Sequence, residues 1–363
     1  MSVSPHATGA PLIELDIPAS LDRDLYDQRL AEGWFRSGPI LCRANVLCLD
    51  ERIRGLSQIR LPLDAHDSAS RSARRRFRRN RDRFRVEFGR ARVDSAREAL
   101  YEKTKPRFMS FVSSELAPLV FGENASLQDT RECAVYDGER LVAVSYFDVG
   151  REAVASQLAL HDPEYAAYGL GTYTLLEEVE YARQIGARYL YPGYVVPGLP
   201  SFDYKLQIGR VQFLEGRTWR RRATPPRRVR EADRFIRRMQ RFEHALAARN
   251  LPVERKFYAG FWLSLVPHFR EHDFASGLVV WTLDTEPDGH RLVVQLTLGE
   301  TAFRLANAAT LEAIDLLEGY DPLGAVASHY ETHALTEQLV LDVSDDPIEI
   351  ADAAARTLHA PFR

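Results

Sequence analysis

Between Leu141 and Trp219 the chain changes period twice, and that limits the folds open to it. Leu141-Val142-Ala143-Val144-Ser145-Tyr146-Phe147-Asp148 is an apolar run rich in β-branched and aromatic residues, the composition of a buried strand. A variable turn leads to Ala159-Leu160-His161-Asp162-Pro163, and a turn at Gly169-Leu170-Gly171 opens a helical run from Thr172 to Ile185. In that run Leu175, Leu176, Val179, Ala182 and Ile185 recur near a period of 3.6 and define an apolar side. Glu177, Glu178, Glu180 and Arg183 fall on the other side. Tyr189-Leu190-Tyr191-Pro192-Gly193-Tyr194 reads as a strand returning beside the first, which completes a strand–helix–strand unit.

With 363 residues the chain has room for two or three domains around this unit. Residues 1–20 read as a flexible leader. Residues 21–130 form an N-terminal region with a helix over Leu25–Gly33, strands over Pro39–Asp50 and Ile59–Leu63, a basic helix, and a helical stretch from Ala96 to Val120 broken at Pro106. Residues 131–222 are the core, opened by a hairpin over Glu132–Val149 with Asp137-Gly138 at its turn. Residues 223–363 follow the Pro225-Pro226 step. They hold a basic amphipathic helix over Val229–Arg249, a hairpin around Asp288-Gly289, a helix over Thr301–Leu317, a strand over Gln338–Val343 and a last helix opened by Asp346-Pro347.

The net charge of −3 hides a segregation. Arg71 to Arg92 holds eleven arginines against Asp82 and Glu87, and Arg217 to Arg241 holds eleven against Glu231 and Asp233. Two cationic islands on an otherwise acidic chain imply a polyanionic partner. In the first island Ser70 or Ser72 caps a helix with Phe77, Phe84 and Phe88 on one stripe. The bland reading of such a run is a solvated face, but a helix held by i,i+4 pairs alternates its signs and this one does not. Three cysteines, Cys42, Cys48 and Cys133, are too few for a disulfide framework. Neither a secretory signal nor a run of ~20 apolar residues is visible. The expected location is the cytoplasm, with no membrane partner.

Taken together, these motifs resemble the arginyl-tRNA–protein transferase family, including its bacterial leucyl-transferring branch. The resemblance spans roughly Tyr26 to Trp219. It rests on Ser70-Arg71-Ser72 with Arg74-Arg75 and Arg78-Arg79-Asn80, then Leu141 to Val144 with Asp148, then Asp162-Pro163 and Leu170-Gly171-Thr172-Tyr173. Tyr189-Leu190-Tyr191, Gly193-Tyr194, Tyr204-Lys205 and Trp219 complete the series. It implies an α/β fold with a mixed sheet, an acetyltransferase-like (GNAT) core, and transfer of an amino acid, Arg or Leu, from aminoacyl-tRNA to the N-terminus of an acceptor protein in an N-degron manner. The sequence departs from the family at Ala155, Leu158, Gly169 and Phe202, where the family carries Ser, Tyr, Ser and Met. The family's N-terminal cysteine cluster is absent. Cys42 and Cys48 offer two thiolates without a further nearby ligand, so no metal and no cofactor are expected.

Aminolysis of an aminoacyl ester mainly requires that two partners be positioned. An α-amine with a pKa near ~7.7–8.0 needs only a modest base. Asp148, at the end of a strand, and Asp162, before Pro163, are the candidates; the plainer role for either is a turn or helix cap. The turn at Gly169 and Gly171 leads into a helix N-terminus, where free amides attract an anion. In an acetyltransferase this turn holds coenzyme A, but Ala166 stands where that motif wants a basic residue. In the transferase reading it holds the tRNA 3′ end. Arg74, Arg75, Arg78, Arg79 and Asn80 are the matching backbone contacts. Tyr191, Tyr194 and Tyr204 are candidates to stack on terminal bases, or are core aromatics with wet hydroxyls. Lys205 stands out among only four lysines and suits the acidic first residue of an acceptor. Two other readings remain open on the residues alone: an acyltransferase using coenzyme A, and a catalytically inactive RNA-binding relative.

Overall fold

The computed structural model describes residues 12–18, 20–49, 52–63, 69–108, 112–121, 129–251, 254–266, 269, 272–285, 289–298, 302–316, 320–321 and 329–359. Most of the expected leader, and Asp288 of the expected turn, lie outside them. The chain divides into two compact units. One comprises Asp16–Arg43 and Leu56–Val229; the other comprises Met1–Leu15, Ala44–Gly55 and Arg230–Arg363.

The first unit is built on a nine-stranded mixed sheet. Its strands are β1 (Ser57–Pro62), β2 (Arg85–Arg90), β3 (Thr130–Asp137), β4 (Arg140–Val149), β5 (Ala153–His161), β6 (Tyr189–Tyr191), β7 (Tyr194–Val195), β8 (Gln212–Glu215) and β9 (Thr218–Arg221). The order is β9-β8-β1-β6-β5-β4-β3-β2, with β7 also on β1. Hairpin β3–β4 turns where Asp137-Gly138 requires it, Gly138 adopting φ 60°. The helices of this unit are α1 (Arg23–Ala31), α2 (Arg71–Arg81), α3 (Ser95–Thr104), α4 (Ala117–Phe121) and α5 (Leu170–Gln184). Helix α5 packs Leu170, Tyr173, Leu176 and Val179 against Val142, Phe147, Val154 and Leu190, while Tyr26, Leu30 and Trp34 from α1 and its exit cover Ala153, Ala155 and Tyr191 on the other face. The unit is thus an α/β layer structure with a buried mixed sheet.

Several expectations on this unit change. The tyrosine strand returns beside β5 and parallel to it, not beside β4, because the stretch read as a variable turn is itself a nine-residue strand. Helix α2 stops at Arg81, so Phe88 leaves the expected stripe and lies on β2, stacked on Tyr181. The Ala96–Val120 stretch breaks at Pro106, as expected, but resumes as helix only over Ala117–Phe121. On α5 the faces are not as drawn from periodicity: Glu177 and Glu178 are buried, and Ile185 is exposed.

The other unit holds a six-stranded sheet ordered β14-β10-β11-β12-β13-β15. These strands are β10 (Glu254–Tyr258), β11 (Gly277–Thr285), β12 (His290–Thr297), β13 (Phe303–Asp315), β14 (Tyr330–Glu331) and β15 (His333–Ser344). Its helices are α6 (Arg230–Ala247) and α7 (Pro347–Leu358), the latter capped by Asp346 as expected. The expected helix over Thr301–Leu317 is strand β13. Its alanines favour a helix locally, but pairing with β12 on one side and β15 on the other, with Phe303, Leu305, Ala306 and Ala308 buried, outweighs that preference. Among the described residues no helix is long and apolar enough to cross a membrane.

Candidate functional site

Strands β5 and β6 pair only from Ala153–Tyr189 to Ala155–Tyr191; beyond that β7 pairs with β1 instead. A bulge on β5 falls at the same place. Tyr146 faces Leu158 and Phe147 faces Ser156, so Gln157 is the extra residue. Parting strands and a bulge open a small pocket, whose lining includes Trp34, Gln58, Ser156, Gln157, Gly193 and Trp219.

Behind Ser156 lies Glu178. Its side chain projects from α5 toward the sheet and is fully buried. The hydroxyls of Ser145 and Ser156 are close enough to favour its charged form, yet neither carboxylate oxygen has a hydrogen-bond partner among the described residues. Burial dominates and pushes the carboxyl up to about 7, while the Ser145 and Ser156 hydroxyls and the charge on Lys205 oppose it. Lys205, half-buried on the 3₁₀ segment Pro200–Ile208, donates from Nζ to the Tyr194 carbonyl at 3.2 Å. The same Nζ lies 5.1 Å from the Tyr194 ring centre and 5.6 Å from that of Phe202. Burial lowers its pKa to about 8 against the pull of Glu178. Burial likewise raises the phenols of Tyr194, to about 12, and Tyr204, the latter helped by Glu178. Of the sequence candidates, Tyr194, Tyr204 and Lys205 therefore come together, around a carboxylate that periodicity had turned to solvent. A signal was present: Glu178 lies three residues after Leu175 and four before Ala182, inside the apolar stripe.

The two aspartates stand elsewhere. Asp148 is fully buried and held by Arg36, whose Nε and an Nη reach its two oxygens at 2.7 and 3.0 Å. Thr130 and Tyr26 also donate to it, and the Tyr26 hydroxyl accepts from Gln157 at the pocket. Among the described residues, Asp148 is linked to the pocket through Tyr26 and Gln157. Asp162 caps the 3₁₀ turn Pro163–Tyr168 and pairs with Lys103 and Arg140, each at 2.7 Å. Burial alone would raise its carboxyl, but these cations and the Glu164 amide bring it down to about 2, too acidic for a base at neutral pH.

Helix α2 lies on the glycine turn. Gly169 adopts φ 61°, which favours glycine, and a Cβ there would sit 2.8 Å from Nε of Arg76, whose flexible side chain would have to shift. Gly171 has more room: its nearest neighbour, His161 Nδ1, is 4.0 Å from where a Cβ would stand. Arg79 donates to the Ala167 carbonyl and Asn80 to that of Tyr168 at 3.0 Å. Asn80 is therefore spent inside the fold. Arg74, Arg75, Arg78 and Arg79 face solvent, the first three lining a shallow depression with Arg71 and Ser72. Among the described residues no three His, Cys, Asp or Glu side chains gather as metal ligands.

Residues 89–215, which carry most of this site, match the family described as arginine-tRNA-protein transferase, C terminus. Over that segment the chain carries the C-terminal domain of the arginyl-tRNA–protein transferase family. At that level it is an aminoacyl-tRNA–protein transferase, with aminoacyl-tRNA as donor and a protein as acceptor. It is 29% identical over 205 residues to an aspartate/glutamate leucyltransferase of Stenotrophomonas maltophilia (strain K279a), a match covering 54% of this chain and 79% of that protein. The corresponding Leptospira interrogans protein (serovar copenhageni, strain Fiocruz L1-130) is 26% identical over 196 residues, covering 52% and 73%. Among solved structures, FemX is similar at a TM-score of 0.32 and 12% identity over 48% of this chain and 61% of FemX, a likeness too slight to carry an argument.

Proposed function

We propose that the enzyme transfers leucine from leucyl-tRNA to the α-amine of a protein beginning with Asp or Glu, a reaction of the N-degron type. The observation that carries the mechanism is the buried, unpartnered carboxylate of Glu178 behind Ser156, with Lys205 beside it. The choice of leucine and of an acidic acceptor is supported by the names of the similar leucyltransferases.

The β5–β6 parting, a small opening in this structure, marks where the reacting carbonyl of the aminoacyl ester meets Ser156. The acceptor amine attacks the ester carbonyl; a C–N bond forms and the C–O bond to the tRNA ribose breaks. The amine proton passes through the Ser156 hydroxyl to Glu178 and returns to the departing ribose oxygen. A carboxyl near 7 suits both directions of that transfer at neutral pH. Lys205 holds the acceptor's acidic side chain as a point charge, a few ångströms from the amine it orients. Asp148 keeps Arg36, Tyr26 and Gln157 in place and so shapes the pocket wall; Asp162 fixes the turn that precedes Gly169. Gly169, Gly171 and the exposed arginines of α2 hold the tRNA end and its backbone.

The test is incubation of Asp- and Glu-starting peptides with leucyl-tRNA or arginyl-tRNA, read by mass spectrometry. The expected product gains one leucine residue at its N-terminus. A gain from arginyl-tRNA alone overturns the donor assignment; no gain from either overturns the reaction.

A further inference from the structure

Five of the eleven arginines of the second island lie on helix α6. Its inner stripe of Ala232, Phe235, Met239, Phe242 and Leu246 is buried. On the opposite side Arg230, Arg234, Arg237 and Arg241 are all exposed. Steps of four, three and four residues at ~100° each keep these four within roughly 60° of one another around the axis, spread over ~16 Å. Neighbouring rungs are like charges at i,i+3 or i,i+4 and repel one another. Among the described residues none of the four has a hydrogen bond, ion pair or ring contact. Other charges on the helix are committed or off the stripe. Arg238 donates to the Asp345 carbonyl and lies over the Phe303 ring, Glu243 pairs with Arg255, and Glu231 and Asp233 fall to either side of the first rung.

We propose that this ladder binds the phosphodiester backbone of RNA, which gives the enzyme a second RNA-binding surface distinct from helix α2. Guanidinium groups take phosphate oxygens in pairs, and a single row spaced by one turn suits a linear run of phosphates. An anionic membrane is the other polyanion to weigh. A helix that lies on a bilayer needs an exposed apolar face to sink into it. The apolar stripe of α6 is spent in the core, and no large hydrophobic side chain of this helix is exposed. Phosphate contacts of this kind fix position and carry no sequence information. The choice of RNA among nucleic acids rests on the reading of the enzyme as a user of aminoacyl-tRNA.

The experiment is fluorescence anisotropy of labelled, uncharged, unfractionated tRNA with the full chain over a sodium chloride series. The variants are the triple changes Arg234→Gln, Arg237→Gln, Arg241→Gln and the corresponding three to Glu. Loss of three phosphate contacts should flatten the log–log salt slope by about 2 to 3 and weaken binding by more than about tenfold. The Gln variant isolates lost contact from added repulsion, and its thermal melt reports folding. Leucine transfer at saturating tRNA should persist. An unchanged slope in a well-folded Gln variant overturns the proposal. So does loss of binding to phosphatidylglycerol vesicles with tRNA binding intact. If the wild-type chain binds no tRNA, the donor reading falls as well; if it binds and the α6 variants are indifferent, only this inference falls.

Discussion

The pocket region and helix α6 use charge in opposite ways. Around Ser156 the ionisable groups are few, enclosed and shifted: Glu178 up to about 7, Lys205 down to about 8. On α6 four arginines stand in water with no partner among the described residues. Burial makes a charge costly and therefore tunable, which is what proton transfer needs. Exposure leaves a charge at full strength but screened within about 10 Å, which is what attraction of a polyanion needs. Helix α2 lies between the two cases. It gives Arg76, Arg79 and Asn80 to the turn at 167–169 and keeps Arg74, Arg75 and Arg78 in solvent.

That contrast separates the variants by what they should change. The largest effect is expected from Glu178→Gln. Removing the base should lower kcat by about 10²–10⁴-fold and leave the tRNA dissociation constant unchanged. Single-turnover kinetics beside a binding titration would check both. The wild-type kcat/KM should rise with pH through about 7 and fall above about 8, as the Glu178–Lys205 pair titrates. A flat profile would take the pair out of the chemistry.

Next comes Lys205→Met. Loss of a charge-assisted contact worth ~1.5–3 kcal/mol should lower kcat/KM for the acceptor by roughly ten- to a hundredfold, through KM. Lys205→Arg should rescue only in part, since the planar fork is larger than an ammonium. If tRNA affinity drops and acceptor KM stays, Lys205 touches the donor instead. Arg78→Glu with Arg79→Glu should do the reverse of Glu178→Gln, reducing the log–log salt slope of tRNA binding by ~0.7–0.9 per contact while kcat at saturation holds. An unchanged slope would return α2 to being a solvated face.

The smallest effect concerns stability. The folded state holds Glu178 above its ordinary 4.5, so the folded protein binds this proton more tightly than the unfolded chain does. Its favourable contribution is complete below ~4.5 and is lost as pH rises through about 7. Glu178→Gln has nothing to lose there. Denaturant unfolding should show the variant gaining on the wild type across that window by on the order of 1–3 kcal/mol. Parallel curves would mean that the carboxyl stays solvated.

Much of the architecture was legible where local chemistry decides it. Asp137-Gly138 set a hairpin, Asp346-Pro347 a helix start, and the spacing of Phe235, Met239, Phe242 and Leu246 the buried face of α6. Reading failed where a segment's partners are distant. The alanines of β13 specify a helix until β12 and β15 stand on either side. The stretch between Asp148 and Ala159 read as a turn until β4 and β6 flank strand β5.

The sequence by itself determined the periods, the caps, the two arginine islands and the motif series that marks the family. Those depend on residues within one or two turns of each other. The tertiary structure alone decided which acid is which. Asp148 stands opposite Arg36, 112 residues away, and is neutralised as a brace. Asp162 meets Lys103 and Arg140 and becomes a strong acid. Glu178 faces two hydroxyls and a half-buried lysine, and its carboxyl is left near 7 with its oxygens unpartnered among the described residues. A carboxyl group's chemistry is fixed by the solvent it loses and the charges it faces, and neither is written beside it in the chain.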